Sequence, residues 1–463
     1  MSGPTSILNA KAMRSLVLAG GGMRVAYQAG VLIALQENDL NFSHVDGTSG
    51  GIFNTGMLIS GLTPEQMADK WRSLKLSSFI SGRKGKDYMN LFKMEGYADA
   101  DNIRDKVFPH LGIDIDTINK HDIVNATFNV CHFPTKDVWA FPHTKVKEGH
   151  LLAGVSLPIF MPALQIDGEF FTDAVWIKDA NLIEAAQQGS EEIWLIWAIG
   201  NTPTYLNGAF NQYVHMIEMS ANGALLEEFR RLRLSHPKIR LHVIKPPTPL
   251  PLDPDFFFNK INGRELINMG YSHAYEYLHK RNPEGLPLNE TATKCLKPQD
   301  SLSFRSTYAG QVKFEGKHQK IQLFHYLQLH QFDGTCSLKV YGSLKIGNEE
   351  ISSFTEHISL KDSDKNKVLQ TRSHFIWKEK NTILQTNQKL PSFWELIMGL
   401  GFKKITVKAF GEDGLSIFEA TLHQSAWQRI KSLYYSNLQS IDKTSISKKL
   451  KLFKAISQLN LKI

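Results

Sequence analysis

The sequence predicts two folded parts: an α/β domain with a largely parallel sheet, then a β-rich, antiparallel domain. Three observations carry this. Up to about residue 300, short apolar runs alternate with long helical stretches, the order that builds a parallel sheet from strand–helix–strand units. Beyond it the pattern turns to β-type runs of alternating polarity. The charge changes at the same place. Residues 1–300 hold 29 Lys+Arg and 32 Asp+Glu, a net of −3, whereas residues 301–463 hold 24 and 13, a net of +11. The +8 of the whole chain therefore belongs to its C-terminal third.

The 463 residues suffice for two or three domains with sizeable cores. With 42% hydrophobic and 21% charged residues, collagen-like, coiled-coil and wholly disordered chains are excluded. The expected boundaries are an α/β domain over 1–285, a linker over 286–300, a β-rich domain over 301–435 and a basic amphipathic tail over 436–463. Three Pro and several small or polar residues between Arg281 and Asp300 support the linker. Cys131, Cys295 and Cys336 are widely spaced and odd in number, which argues against a disulfide framework or thiolate zinc site and fits a reducing compartment. No apolar segment follows the basic residues near the N-terminus, and no stretch reaches the ~18 apolar residues of a spanning helix. The expectation is a cytoplasmic protein whose membrane contact, where it has one, is peripheral.

Ser15-Leu16-Val17-Leu18-Ala19 reads as a buried strand, Gly20-Gly21-Gly22 as a loop, and Met23 to Glu37 as a helix apolar on most sides. A short strand follows near Val45, then Gly47-Thr48-Ser49-Gly50-Gly51, then an apolar helix from Ile52 to Ser60. Trp194 to Ile199 has the length and bulk of a buried strand, and Phe256-Phe257-Phe258 is the other dense apolar run. The later β-type runs are Ile321–Leu329, Cys336–Ile346, Val368–Trp377, Ile405–Phe410 and Leu415–Leu422.

Gly47-Thr48-Ser49-Gly50-Gly51 fits G-x-S-x-G. A serine on a sharp strand-to-helix turn is crowded, and glycines two residues to either side relieve it. The following helix aims its first amides at the place where negative charge develops. The bland alternative is a Gly/Ser-rich turn, but the motif lies between a strand-like and a helix-like segment, as a nucleophile elbow requires. Gly20-Gly21-Gly22 has two readings. As a phosphate cradle it lacks the G-x-G-x-x-G phase and a following Lys-Ser/Thr. As an oxyanion hole it would offer consecutive amides, and glycine lets the backbone turn inward. Arg24 would brace this loop, bind an anionic headgroup or form a structural ion pair.

A serine nucleophile needs a proton acceptor. Of 17 histidines none lies in a recognisable motif. His44 is at the wrong end of its strand, and His132, His143 and His150 read as surface or packing residues. Asp173 closes the aromatic run Phe170-Phe171-Thr172-Asp173. Ala153 to Pro162 reads as a helix end followed by a proline-fixed apolar loop, a pocket wall. Apolar surroundings would lift an aspartate from its usual ~3.9 and make it a better base.

Together these residues resemble the patatin-like phospholipases, serine lipid acyl hydrolases, over roughly residues 14–280. Gly20-Gly21-Gly22-Met23-Arg24 is similar to the family's oxyanion loop and Gly47-Thr48-Ser49-Gly50-Gly51 to its nucleophile elbow. Asp173 stands where the family has the Asp of its Ser–Asp dyad, and Ala153–Pro162 is similar to the segment before it. The resemblance implies a three-layer α/β/α fold, no metal or cofactor, and ester hydrolysis through an acyl-enzyme. Ser49 and Asp173 would be catalytic, with Gly20, Gly21, Gly22 and Gly50 at the oxyanion hole. The expected activity is that of a phospholipase A or lysophospholipase. Its rivals are an acyltransferase using the same serine and a weakly active lipid-binding protein. Within hydrolases, a triad with His215, His236, His242 or His273 is the alternative. Two positions depart from the family pattern: Val25 follows Arg24 where Gly is common, and Ala174 follows Asp173 where Gly is usual. A positive φ at 174 would strain the alanine.

In the C-terminal part, Ser337-Leu338-Lys339-Val340 and Lys404-Ile405-Thr406-Val407-Lys408 alternate as half-buried antiparallel strands with Lys outward. Near the end, Ile446, Leu450 and Phe453 share one helical face among lysines. That face reads either as a surface helix drawn to anionic lipid or as a terminal helix packed on its own domain. No motif points to nucleic acid.

Overall fold

The computed structural model describes residues 6–79, 96, 99–199, 202–250, 261–314, 316–333, 335–363, 366–390, 402–434 and 436–440. The run Phe256–Phe258 and the tail face of Ile446, Leu450 and Phe453 lie outside these residues. The chain divides into two compact units, Met1–Leu296 and Lys297–Ile463.

The first unit is built on an eight-stranded mixed sheet. Its strands are β1 (Arg14–Leu18), β2 (His44–Thr48), β3 (Asn125–His132), β4 (Asp137–Pro142), β5 (Leu164–Ile166), β6 (Glu169–Asp173), β7 (Glu192–Ile196) and β8 (Arg240–Ile244). They run in the order β5-β6-β3-β2-β1-β7-β8, with β4 also on β3. The centre, β3-β2-β1-β7-β8, is parallel, and β4, β6 and β5 add antiparallel pairings at one side. β1 is central because Leu16, Val17 and Leu18 are apolar on both faces and fully buried, each contributing roughly 1.5–3 kcal/mol.

Nine helices of this unit are described: α1 (Ala26–Glu37), α2 (Gly51–Ile59), α3 (Pro64–Ser73), α4 (Phe108–Leu111), α5 (Ile115–Lys120), α6 (Glu148–Gly154), α7 (Leu182–Gln187), α8 (Ala209–Ser235) and α9 (Gly263–Lys280). They make three layers with the sheet. Val17, Ile193, Leu195, Leu241 and Val243 pack on α7 and α8. On the other side α1 packs against α9 and α3. The stretch from Met23 opens as a 3-10 turn, Gly22–Val25, before α1 begins. α1 is buried from Ala26 to Leu35, and glycines explain how two helices share so little space. A Cβ on Gly30 would lie 1.9 Å from the Ile267 carbonyl oxygen, and one on Gly270 would lie 2.0 Å from that of Tyr27. α9 starts with a capping box between Asn262 and Glu265, and α3 with one between Thr63 and Gln66. Residues 286–296 stay with this unit: Leu286 N–H donates to Leu241 O, and Leu296 N–H to Pro247 O.

The second unit is an all-antiparallel barrel. Strands β9 (Asp300–Phe314), β10 (Lys317–Phe332), β11 (Thr335–Ile346), β12 (Glu349–Ser363), β13 (Asn366–Trp377), β14 (Lys380–Lys389), β15 (Lys404–Gly411) and β16 (Ser416–His423) pair in chain order. β16 then meets β9 at His423 and Ala309, closing the ring. Alternate residues fill the interior, among them Leu302, Phe304, Ile321, Leu323, Leu344, Ile405 and Val407. Polar pairs also lie in that interior: Gln388 Nε2 donates to Tyr308 Oη, and the Thr371 and Thr386 hydroxyls bond each other. α10 (Ala426–Tyr434) follows, and β17 (Asn437–Ser440), the first described residues of the tail, pairs with β9.

Candidate active site

The turn after β2 is sharp and crowded. Ser49 has φ 52°, a left-handed conformation that costs a non-glycine residue energy. Its neighbours must be glycine. A Cβ on Gly51 would lie 1.9 Å from Leu18 O, and one on Gly47 would lie 2.4 Å from Thr55 Oγ1. One on Gly50 would lie 2.9 Å from Gly22 O, so the elbow presses directly on the glycine loop. Side chains lock the two together. Asn54 of α2 donates to Val25 O (2.9 Å) and Gln28 Oε1 (2.8 Å), and accepts from Trp71 Nε1 (2.8 Å). Gln28 in turn donates to Ala19 O at 2.7 Å.

Behind the elbow lies a second buried network. Asp46 accepts from Thr127 Oγ1 (2.5 Å) and Asn129 Nδ2 (2.8 Å). Asn129 also donates to Gly47 O and Thr48 Oγ1, each at 3.1 Å, and accepts from Asn181. Burial pushes the Asp46 carboxyl up to about 7 against the pull of these donors.

Ser49 Oγ donates to Asp173 Oδ2 at 2.7 Å. Asp173 ends β6, and its Oδ1 accepts from Val175 N–H at 2.9 Å. The Ser156 carbonyl pins this strand end, accepting from Asp173 N (3.2 Å) and Thr172 Oγ1 (2.8 Å). Asp173 is 1% exposed. Burial lifts its carboxyl to about 7, the bonds from Ser49 and Val175 oppose this, and the Asp179 charge adds to it. A group poised near neutrality suits proton transfer. Ala174 is absent from the positive-φ residues and begins a 3-10 turn, Ala174–Trp176, so its methyl carries no left-handed strain.

The glycine loop bends inward through Gly21 (φ 152°) and Gly22 (φ 56°). Its first amide is already engaged, because Gly20 N–H donates to Asp179 Oδ1 at 2.9 Å. Gly21, Gly22 and, on the elbow, Gly50 supply the remaining amides at this corner. Arg24 is 5% exposed, and its Nε donates to Gly21 O at 3.1 Å, bracing the loop.

The segment after α6 forms an apolar wall. Tyr213 Oη donates to Pro158 O at 2.6 Å, and the Tyr213 ring lies 5.1 Å from Phe160 and 5.6 Å from Trp176. Ile159 is 57% exposed and held at φ 77°. The histidines lie elsewhere. His44 bonds Ser15 and Thr127, His215 accepts from Leu206 N–H, His242 stacks on Trp194 and bonds Tyr277, and His273 bonds Tyr27. His236 pairs with Ser235 at the end of α8. Asp179 and Tyr213 had no motif to mark them, whereas Ser156 lies in the Ala153–Pro162 segment. Asp179 meets a residue 159 positions away, which no local pattern encodes.

The family model for patatin-like phospholipases matches residues 16–186. No curated protein matches the chain. Among solved structures, VipD from Legionella pneumophila aligns at 12% identity and a TM-score of 0.32, covering 57% of this chain and 66% of that one. The Ser49 elbow, the glycine loop and Asp173 all fall within the matched span. The chain thus carries a patatin-like phospholipase domain over residues 16–186.

Proposed function

We propose that the protein is a lipid acyl hydrolase of the phospholipase A or lysophospholipase type, working through a Ser49–Asp173 dyad. The observation that carries this reading is the 2.7 Å bond from Ser49 Oγ to a fully buried carboxylate. Ser49 Oγ attacks the ester carbonyl while its proton passes to Asp173 Oδ2. The amides of Gly21, Gly22 and Gly50 hold the oxyanion. As the tetrahedral intermediate collapses, the C–O bond to the alcohol breaks, and Asp173 returns the proton to that oxygen. Water then enters, gives a proton to Asp173 and attacks the acyl-enzyme. The fatty acid leaves and Ser49 regains its proton. The Pro158–Phe160 wall with Tyr213 and Trp176 provides an apolar surface for an acyl chain.

The test is labelling of Ser49 by a fluorophosphonate, followed by hydrolysis of a panel of phospholipids and lysophospholipids. Ser49→Ala and Asp173→Asn are each expected to lose at least about 10³-fold in kcat with the fold retained. Activity retained in either variant removes the dyad. Acyl transfer to an added alcohol in preference to water would make the enzyme a transferase.

Peripheral contact with anionic membranes is part of the proposal. It rests on the +11 net charge of residues 301–463 and on α10. There Trp427, Ile430 and Tyr434 are 63%, 54% and 80% exposed, with Lys431 beside Trp427. Among the described residues, no helix is long and apolar enough to cross a membrane. Binding to vesicles containing phosphatidylserine is expected to exceed binding to neutral vesicles and to fall with added salt. Equal binding to both removes the electrostatic contact.

A further inference from the structure

Two buried side chains that take no part in the proton transfers hold the glycine loop from opposite ends. Asp179 Oδ1 accepts from Gly20 N–H at 2.9 Å, and Arg24 Nε donates to Gly21 O at 3.1 Å. Both are almost fully buried, at 2% and 5% exposure. They attract each other, and the Trp197 indole approaches the Asp179 carboxylate without closing a hydrogen bond. Asp179 also stands next to the reaction centre. A Cβ on Gly20 would lie 2.4 Å from Asp179 Oδ1, 2.8 Å from Ser49 Cβ and 3.1 Å from Ser49 Oγ. The space that a side chain at Gly20 would fill is therefore taken up by both the second carboxylate and the nucleophile.

We infer that Asp179 is a positioning residue: by holding Gly20 N–H it turns the loop so that the amides of Gly21 and Gly22 serve the oxyanion. The chemistry favours an acceptor at this place. Ala19 N–H still pairs with the sheet at Ile196 O (3.2 Å), and Gly20 N–H is the first donor to leave it, in a buried corner. Left unpaired, a buried N–H costs the full desolvation of that group, so the peptide would turn and draw the following units out of line. A carboxylate at this place holds it. Arg24 fixes the next peptide at its carbonyl, so the Gly20–Gly21 segment is held at both its N–H and its C=O. A fixed donor array costs no reorganisation during reaction, which is the source of its rate effect.

This inference rests on the acyl-hydrolase reading, and the experiment separates the two. Asp179→Ala removes the acceptor, and Asp179→Asn keeps an acceptor oxygen while removing the charge. Three quantities are measured on the full chain: fluorophosphonate labelling of Ser49, kcat and KM on a short-chain ester, and amide exchange of a peptide containing residues 19–24. In Asp179→Ala, kcat is expected to fall at least about tenfold with KM within about threefold, and the loop amides to exchange at least about tenfold faster. In Asp179→Asn both effects should be largely reversed. Wild-type kcat in a folded Asp179→Ala protein overturns the inference. So does an effect confined to KM, or an Asp179→Asn variant as impaired as Asp179→Ala. If Ser49 in the wild type does not label, the hydrolase reading fails. The exchange of the loop then decides the role of Asp179 by itself, and equal exchange in wild type and Asp179→Ala overturns it. If Asp179→Ala does not fold, a tenfold loss of kcat, or faster loop exchange, in folded Asp179→Asn does the same.

Discussion

Ser49 Oγ and Asp173 Oδ2 lie 2.7 Å apart, joining the turn after β2 to the end of β6 across 124 residues of chain. The bond makes the serine's reactivity depend on whether Asp173 carries a proton. Only the carboxylate form can accept one from Ser49. With the carboxyl lifted to about 7, chiefly by burial, the competent form is the minority at pH 5 and the majority at pH 8. The kcat/KM for a soluble ester is therefore expected to rise about tenfold per pH unit below 7 and to level above it. A profile flat between pH 5 and pH 8 would take Asp173 out of the role of base.

Two glycines on facing helices set a second expectation. Gly30 of α1 and Gly270 of α9 each approach the other helix so closely that a methyl group would overlap a carbonyl oxygen, at 1.9 and 2.0 Å. The clash is with backbone, which moves only if the helices separate. Gly270→Ala is expected to destabilise the first unit by roughly 1–3 kcal/mol or more, lowering the melting temperature by several degrees. Gly223, within α8, gives the contrast: it is exposed, and a Cβ there would meet nothing within 4 Å. Gly223→Ala should raise stability by about 0.5–1 kcal/mol through helix propensity alone. Thermal unfolding of both variants checks the pair, and a Gly270→Ala protein as stable as wild type would show that the helices yield freely.

Much of this site was legible because its chemistry is local. G-T-S-G-G and G-G-G each follow a strand-like segment and precede an apolar helix, and those are the elements observed at β2–α2 and β1–α1. Asp173, at the end of an aromatic run, would by itself read as a turn or capping residue, and the family resemblance is what singled it out. What stayed hidden depends on distant contacts: Asp179 against Gly20, Tyr213 against Pro158, and the Asp46–Asn129–Asn181 chain. In the second unit the apolar alternation marks β10, β11, β13, β15 and β16. β9, β12 and β14 passed unseen. Their inward positions include Ser306, Ser353, Thr382, Thr386 and Gln388, buried polar residues that break the apolar pattern. Ring closure by β9 and β16 rests on residues more than a hundred positions apart, and alternation says nothing of it.

The hidden carboxyl Asp46 carries a prediction of its own. It is fully buried and pushed to about 7, chiefly by desolvation, whereas its ordinary value is 3.8. Below 3.8 both folded and unfolded chains hold the proton, and the contribution to stability is complete. As pH rises from there toward 7, the unfolded chain releases its proton while the folded one keeps it, so folding loses stability. Asp46→Asn cannot ionise, yet it retains an oxygen for Asn129 and an amide to face Thr127. Its melting temperature relative to wild type should climb between pH 4 and pH 7 and stay level above. A constant difference across that range would mean that Asp46 titrates as an ordinary carboxyl.

Ala174 stands where the related family usually has glycine, and the geometry says why alanine serves. It opens the 3-10 turn after Asp173, is fully buried and has no positive φ. Its carbonyl accepts from Ile177 N–H (2.9 Å) and Lys178 N–H (2.8 Å), so the turn is held by bonds that any residue can make. That turn matters to the site because it carries Val175 N–H to Asp173 Oδ1. Glycine at 174 would remove a packed methyl and free the backbone of the unfolded chain. Ala174→Gly is therefore expected to lower stability by about 0.5–1 kcal/mol or more and to leave kcat at or slightly below the wild-type value. Melting temperature and ester hydrolysis on the same preparation check this. A clear gain in kcat would mean that the alanine holds Asp173 off its best position and that the turn, as it stands, restrains the enzyme.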